Sequence, residues 1–154
     1  MNAVNAHREP GRLHAANAFT PDDAHELLRT KFAPWVQELG LVVEECDPTG
    51  ARLRLPHSPR LARFGDTVSG QALMACADSA MAIAITSAFG TFRNITTVGQ
   101  TISFMRPIPG GDTRIEAVVR KVGRALVFGE VTFRAAGSEA ICAHAVATWA
   151  VIGE

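Results

Sequence analysis

From Ser69 to Ile85 the chain dictates one long helix. After Gly70 this segment has neither proline nor glycine, and alanine, the best helix former, recurs through it. Apolar residues fall on both sides of any helical wheel drawn through the segment, which predicts a buried helix rather than a surface one. Between Asp66 and Arg93 only Asp78 carries a charge. A lone carboxylate in a buried helix costs several kcal/mol unless it is paired, hydrogen-bonded or protonated. Asp78 is therefore either a satisfied structural acid or a working one.

The helix entrance offers a second functional group. Ser69 and Gly70 stand where the first backbone N–H groups have no intrahelical partner. Those donors, at the positive end of the helix dipole, can hold an anion or a developing oxyanion. Gly70 allows a carbonyl to approach closely. Ser69 also reads simply as an N-cap. Gly70 and Asp78 are separated by about 12 Å along the axis at 1.5 Å per residue, so one helix cannot bring both to one reacting atom. A site using both requires two antiparallel copies of the helix across a two-fold axis, and hence a homodimer.

The remaining chain supplies a sheet. Thr20-Pro21-Asp22-Asp23 is a helix start, with Gly40 as the stop. The expected apolar stripe of that helix is Leu27, Leu28, Phe32, Trp35, Val36 and Leu39, with Pro34 kinking or dividing it. Strands are expected at 41–46 and 51–55, joined by the turn Asp47-Pro48-Thr49-Gly50. Residues 56–68 read as an irregular loop. Four further strands follow the central helix, at 95–106, 112–122, 126–135 and 140–151, separated by Pro and Gly breakers. Consecutive hairpins imply an antiparallel sheet, and one sheet around one apolar helix is the economical α+β solution. On the strand after the helix, simple alternation puts Thr97, Gly99, Thr101 and Ser103 on one face. Residues 1–19 read as a flexible arm holding His7 and His14, and 20–154 as a single domain.

Composition limits the partners. The chain has fifteen basic and fifteen acidic residues, a balance that argues against a nucleic-acid or anionic-membrane surface. Cys46, Cys76 and Cys142 are odd in number, widely spaced and set in apolar stretches, as expected of reduced cysteines in a cytoplasmic protein with no disulfide framework and no metal site. The first twenty residues lack the basic-then-apolar pattern of a signal peptide. Gln71, Asp78, Ser79, Thr86 and Ser87 make the central helix a poor transmembrane span. Arg106, Lys121 and Arg124 flank strand ends, where they can clamp phosphates or form a solvated rim. His57 and His144 are isolated. Nucleophile-elbow, P-loop and Rossmann motifs are missing.

The segments 69–85 and 97–107, with Gly110-Gly111-Asp112, Gly123-Arg124-Ala125 and Gly129-Glu130-Val131, resemble the hotdog-fold acyl-CoA thioesterases of the PaaI type. The resemblance covers roughly residues 40–152. It implies a long central helix wrapped by a curved antiparallel sheet, assembly as homodimers and often as dimers of dimers, and hydrolysis of acyl- or aryl-CoA thioesters without metal or cofactor. The family's acid, nine positions after the histidine of a His-Gly-Gly motif, falls on Asp78, and its oxyanion glycine on Gly70. A Ser/Thr ten positions before the strand-ending proline falls on Thr97. Asp78 would serve as general base on water or as nucleophile.

Three family positions differ. The histidine is Ser69, the second glycine is Gln71, and an asparagine six positions before the histidine is Arg63. Ser69 retains a donor for a carbonyl, and Gln71 or Arg63 could orient water or substrate. The expectation is a thioester hydrolase. The alternative, motivated by the missing histidine and asparagine, is a non-catalytic acyl-CoA-binding or scaffolding hotdog protein. An enoyl-CoA hydratase would need an Asp/His pair that the chain lacks.

Overall fold

The computed structural model describes residues 18–153. The proposed N-terminal arm therefore lies outside the described residues, apart from Ala18 and Phe19; Phe19 packs against the core. Helix α1 (Pro21–Lys31) opens with a capping box: the Thr20 hydroxyl accepts from the Asp23 N–H, and the Asp23 carboxylate accepts from the Thr20 N–H. Pro34 divides the predicted helix. Phe32 and Ala33 interrupt it, and Pro34 then starts the short α2 (Pro34–Gln37). Ala24, Leu27 and Leu28 bury the inner face of α1, whereas Trp35, predicted to share that stripe, is 61% exposed, and Val36 makes the inward contact of α2.

Strands β1 (Val42–Asp47) and β2 (Gly50–Leu55) form the predicted hairpin. Its turn is held by Asp47, whose Oδ1 accepts from the Thr49 N–H at 2.6 Å and the Gly50 N–H at 3.2 Å. Segment 56–68 has more order than its composition suggests. A 3₁₀ turn (Pro59–Leu61) leads into a small hairpin, β3 (Ala62–Arg63) and β4 (Thr67–Val68), anchored by Ser69 N–H to Leu61 O and Val68 N–H to Ile108 O.

Helix α3 (Gly70–Phe89) is the predicted central helix, capped by Ser69 and stopped by Gly90 at φ +70°. By length and apolar composition it could cross a membrane, but it is a core helix, with most of its residues buried against the sheet. Strands β5 (Ile95–Phe104), β6 (Thr113–Val122), β7 (Leu126–Ala135) and β8 (Ala143–Val151) follow. The six long strands pair antiparallel in the order β1-β2-β6-β7-β8-β5. Leu53, Leu55, Ile115, Val127, Val131, Phe133 and Trp149 line the face that covers α3. Gly129 makes the close approach possible: a Cβ there would stand 2.2 Å from Met81 Cε and 2.7 Å from Val118 O. This is the α+β hotdog architecture expected from the sequence.

The register of β5 departs from simple alternation. Thr97 pairs with Trp149 and Gly99 with Thr148, leaving Val98 as an extra residue in a β-bulge. The bulge reverses the alternation. Thr97, Gln100, Ile102 and Phe104 share the helix-facing side with buried Trp149, Ala147, Ala145 and Ala143, while Gly99, Thr101 and Ser103 face outward. The expected single face of Thr97, Gly99, Thr101 and Ser103 is thus split, because the extra residue shifts every later side chain to the opposite side.

Candidate active site

Asp78 occupies the one strip of α3 that the sheet leaves open. Gln71 and Met74 on this strip are exposed and Asp78 is half-buried, while Cys76, Ala77, Ala80 and Met81 are buried. Burial of Asp78 within a single chain is accordingly less complete than the apolar surroundings in sequence suggest. The bulge in β5 brings Thr97 over this strip, and its hydroxyl donates to Asp78 Oδ1 at 2.7 Å. One carboxylate oxygen is held in place by that bond and the other has no partner among the described residues.

The second half of the site lies at the helix start. Ser69 Oγ accepts from the Ala72 N–H at 3.3 Å, so Ser69 is an N-cap. Gly70, the first helical residue, has a backbone N–H with no acceptor among the described residues. The Phe104 ring closes over it: a Cβ on Gly70 would stand 3.2 Å from Phe104 Cζ. A cleft of about 430 Å³ opens beside Gly70, floored by Val68, Leu73 and Ile108 and walled by Phe104. Arg63 and Arg106 both line it. Arg106 donates to the Ile141 carbonyl at 2.8 Å, and Arg63 makes only a 3.5 Å contact with the Phe64 carbonyl.

The structure therefore gathers the sequence candidates into two groups. Asp78 and Thr97 form one; Gly70, Arg63 and Arg106 form the other. The side chains of Ser69 and Gln71 join neither within the protomer, since both line a separate hollow with Trp35, Glu38 and Arg60. Lys121 and Arg124 lie at the β6–β7 turn. The β6-to-β5 pairings align that end of the sheet with Thr97, while Arg106 follows Phe104 at the opposite end. One protomer thus cannot use Arg106, Lys121 and Arg124 as a single phosphate clamp. Among the described residues, Arg63, Arg106, Lys121 and Arg124 have no carboxylate partner, whereas Arg29, Arg52, Arg54, Arg60, Arg114, Arg120 and Arg134 all do.

Sequence inspection missed two side chains at the site. Phe104 and Gln100 reach the helix only because of the bulge, and Gln100 Nε2 donates to the Met74 carbonyl at 3.1 Å. An isolated amide in a strand of small and apolar residues is the one local hint of the latter. His144 lies on the outer face of the sheet, 3.4 Å from Glu130, and His57 lies 3.5 Å from Asp66. Neither joins the candidate residues.

Comparison with solved structures finds the same fold in several proteins. Conserved protein PA5202 from Pseudomonas aeruginosa is 26% identical, with a TM-score of 0.72 over 79% of this chain and 95% of its own. Thioesterase HI1161 from Haemophilus influenzae is 17% identical, with a TM-score of 0.78 over 89% of this chain and 93% of its own. A variant of phenylacetic acid degradation protein PaaI from Thermus thermophilus is 22% identical, with a TM-score of 0.68 over 78% of this chain and 100% of its own. Comparison with curated proteins gives no significant match. The family model of the thioesterase superfamily matches residues 65–142, which include every candidate residue except Arg63. With half of its length matched, from the α3 entrance through β7, the chain belongs to the thioesterase superfamily.

Proposed function

We propose that this protein is an acyl-CoA or aryl-CoA thioesterase whose two active sites each combine two protomers. The observation that carries this reading is the Thr97–Asp78 hydrogen bond on the open strip of α3. It fixes a carboxylate where a partner helix would dock, about 12 Å from the same helix's free N-terminal N–H. Across a two-fold axis, Asp78 of one protomer meets Gly70 of the other. The Gly70 N–H then polarises the thioester carbonyl and stabilises the oxyanion. Asp78 takes a proton from the attacking water, or attacks the carbonyl itself to form an anhydride that water then opens. In either case the C–S bond breaks, the carboxylic acid is released, and CoA leaves as a thiolate that takes up a proton. Arg63 and Arg106, beside the cleft and without a carboxylate partner among the described residues, suit the CoA phosphates. Lys121 and Arg124 would reach the same ligand from the other protomer. The reading also carries a cytoplasmic location, consistent with three free cysteines.

One observation favours the alternative, a non-catalytic acyl-CoA binder. The side chain at the family's histidine position, Ser69, is engaged in capping the helix. Asp78→Asn separates the two readings, because it keeps the shape of the side chain and removes the base. For a thioesterase, thiol release from a panel of acyl- and aryl-CoAs falls at least ~100-fold, while thermal stability is kept or improved. A destabilised variant with unchanged turnover per folded molecule would overturn the catalytic assignment. Tight CoA-thioester binding with no turnover in the wild type would establish the binding protein instead.

A further inference from the structure

Gln100 is out of place for a residue that only fills the core. Its neighbours on the helix-facing side of β5 beyond the bulge, Ile102 and Phe104, are apolar. Gln100 instead brings an amide to the α3–β5 seam. Its Nε2 is used on Met74 O, but its Oε1 is buried and has no partner among the described residues. The Nε1 of Trp149, on β8 opposite Thr97, is likewise buried without a hydrogen-bond partner among the described residues, as are Thr113 Oγ1 and Arg114 Nε on β6. Buried polar atoms left unpaired destabilise the fold, and natural chains break such rules chiefly at functional sites.

The atom that Gln100 holds is significant. In an α-helix the carbonyl of Met74 accepts the N–H of Asp78, four residues on. The Gln100 amide thus grips the helix at the peptide hydrogen bond of Asp78. Three contacts now run in order along the seam: Phe104 over Gly70, Gln100 on Met74, and Thr97 on Asp78. Gly70, Met74 and Asp78 are successive i, i+4 positions on one helix face. The central contact fixes β5 against α3, and so fixes Thr97 against the Asp78 carboxylate.

We propose that Gln100 is a positioning residue for Asp78, clamping the strand that carries Thr97 to the helix that carries the acid. This rests on the thioesterase reading above. Gln100→Leu keeps the bulk and removes the amide. A positioning role predicts that kcat falls ~10- to 100-fold with KM little changed, the scale expected when a reacting group is displaced by about an ångström. Stability holds or rises, because the unpartnered oxygen is gone. The distinguishing readout is the double variant. If Gln100 acts through Thr97 and Asp78, Thr97→Ala combined with Gln100→Leu loses no more turnover than Thr97→Ala alone. Gln100→Asn, too short to reach Met74 O while Cα is fixed, should reproduce the loss and serves as the test if the leucine variant does not fold.

Wild-type kcat in a folded Gln100→Leu or Gln100→Asn variant overturns the proposal, as does a double variant whose losses multiply. A wild type that releases no thiol from the CoA panel overturns the thioesterase reading and this assignment together. An active wild type with an unimpaired Gln100 variant overturns this assignment alone.

Discussion

Asp78 differs from the other well-held carboxylates in what surrounds it. The Thr49 hydroxyl and N–H hold Asp47 below the usual carboxylate range. The His57 N–H and then Arg54 do the same for Asp112, and Arg120, with His144 adding to it, for Glu130. Each of these three is engaged by two or more donors, whereas Asp78 has one among the described residues, which leaves its second oxygen without a partner there. These tethered acids, with Asp23 held by Thr20 and Glu139 by Arg114, also shape the pH response. Their folded-state values are depressed, so the unfolded chain takes up protons first as pH falls. Their contribution is fully present above the ordinary carboxylate range of about pH 4 and is lost as pH drops through their lowered folded values. The melting temperature, followed by circular dichroism, should therefore change little between pH 8 and 5 and decline below ~4. A melting temperature that rises on acidification would contradict these assignments. Burial pushes the Cys76 thiol up to about 12, which disfavours the nucleophilic thiolate.

β5 is the element that turns a generic α+β layer into a candidate site. Among the described residues it is an edge strand paired only with β8, and its helix-facing side carries Thr97, Gln100 and Phe104 to three successive positions of α3. The Val98 bulge makes this possible. Deleting Val98 restores strict alternation, which turns either Thr97 or the Gln100–Phe104 set away from the helix. The expected outcome is a folded protein in which turnover falls as far as in Thr97→Ala or further, with a modest drop in melting temperature. Unchanged turnover in the deletion variant would show that joint contact of Thr97 and the Gln100–Phe104 set with α3 is dispensable.

The whole molecule has its candidate site residues divided between two ends. Asp78, Thr97, Lys121 and Arg124 lie toward one end of the sheet, and Gly70, Arg63, Phe104 and Arg106 toward the other. Two-fold symmetry is the simplest operation that brings one end to the other. Sedimentation at micromolar concentration should therefore show a dimer or a larger even assembly. A monomer that still hydrolyses thioesters would remove the composite site.

The sequence by itself determined the long helix, the six long strands and the main caps and turns, but not the small β3–β4 hairpin within 56–68. Ser69, Gly90, Thr20 and the Asp47–Gly50 turn act through bonds to residues a few positions away, so their effects are local. It also singled out Asp78 and Gly70 as candidates, because a single charge and an N-terminal glycine in an apolar helix are visible without knowing what packs on them. The family resemblance added Thr97. Tertiary structure decided which residues meet. A bulge belongs to a pair of strands, so nothing local to β5 shows that Thr97 and Gln100 share a face. Sheet order likewise decided that Arg106 stands apart from Lys121 and Arg124, although all three flank strand ends in sequence. Periodicity fixes the direction of a side chain relative to its own backbone, and only pairing between strands fixes that direction relative to the helix.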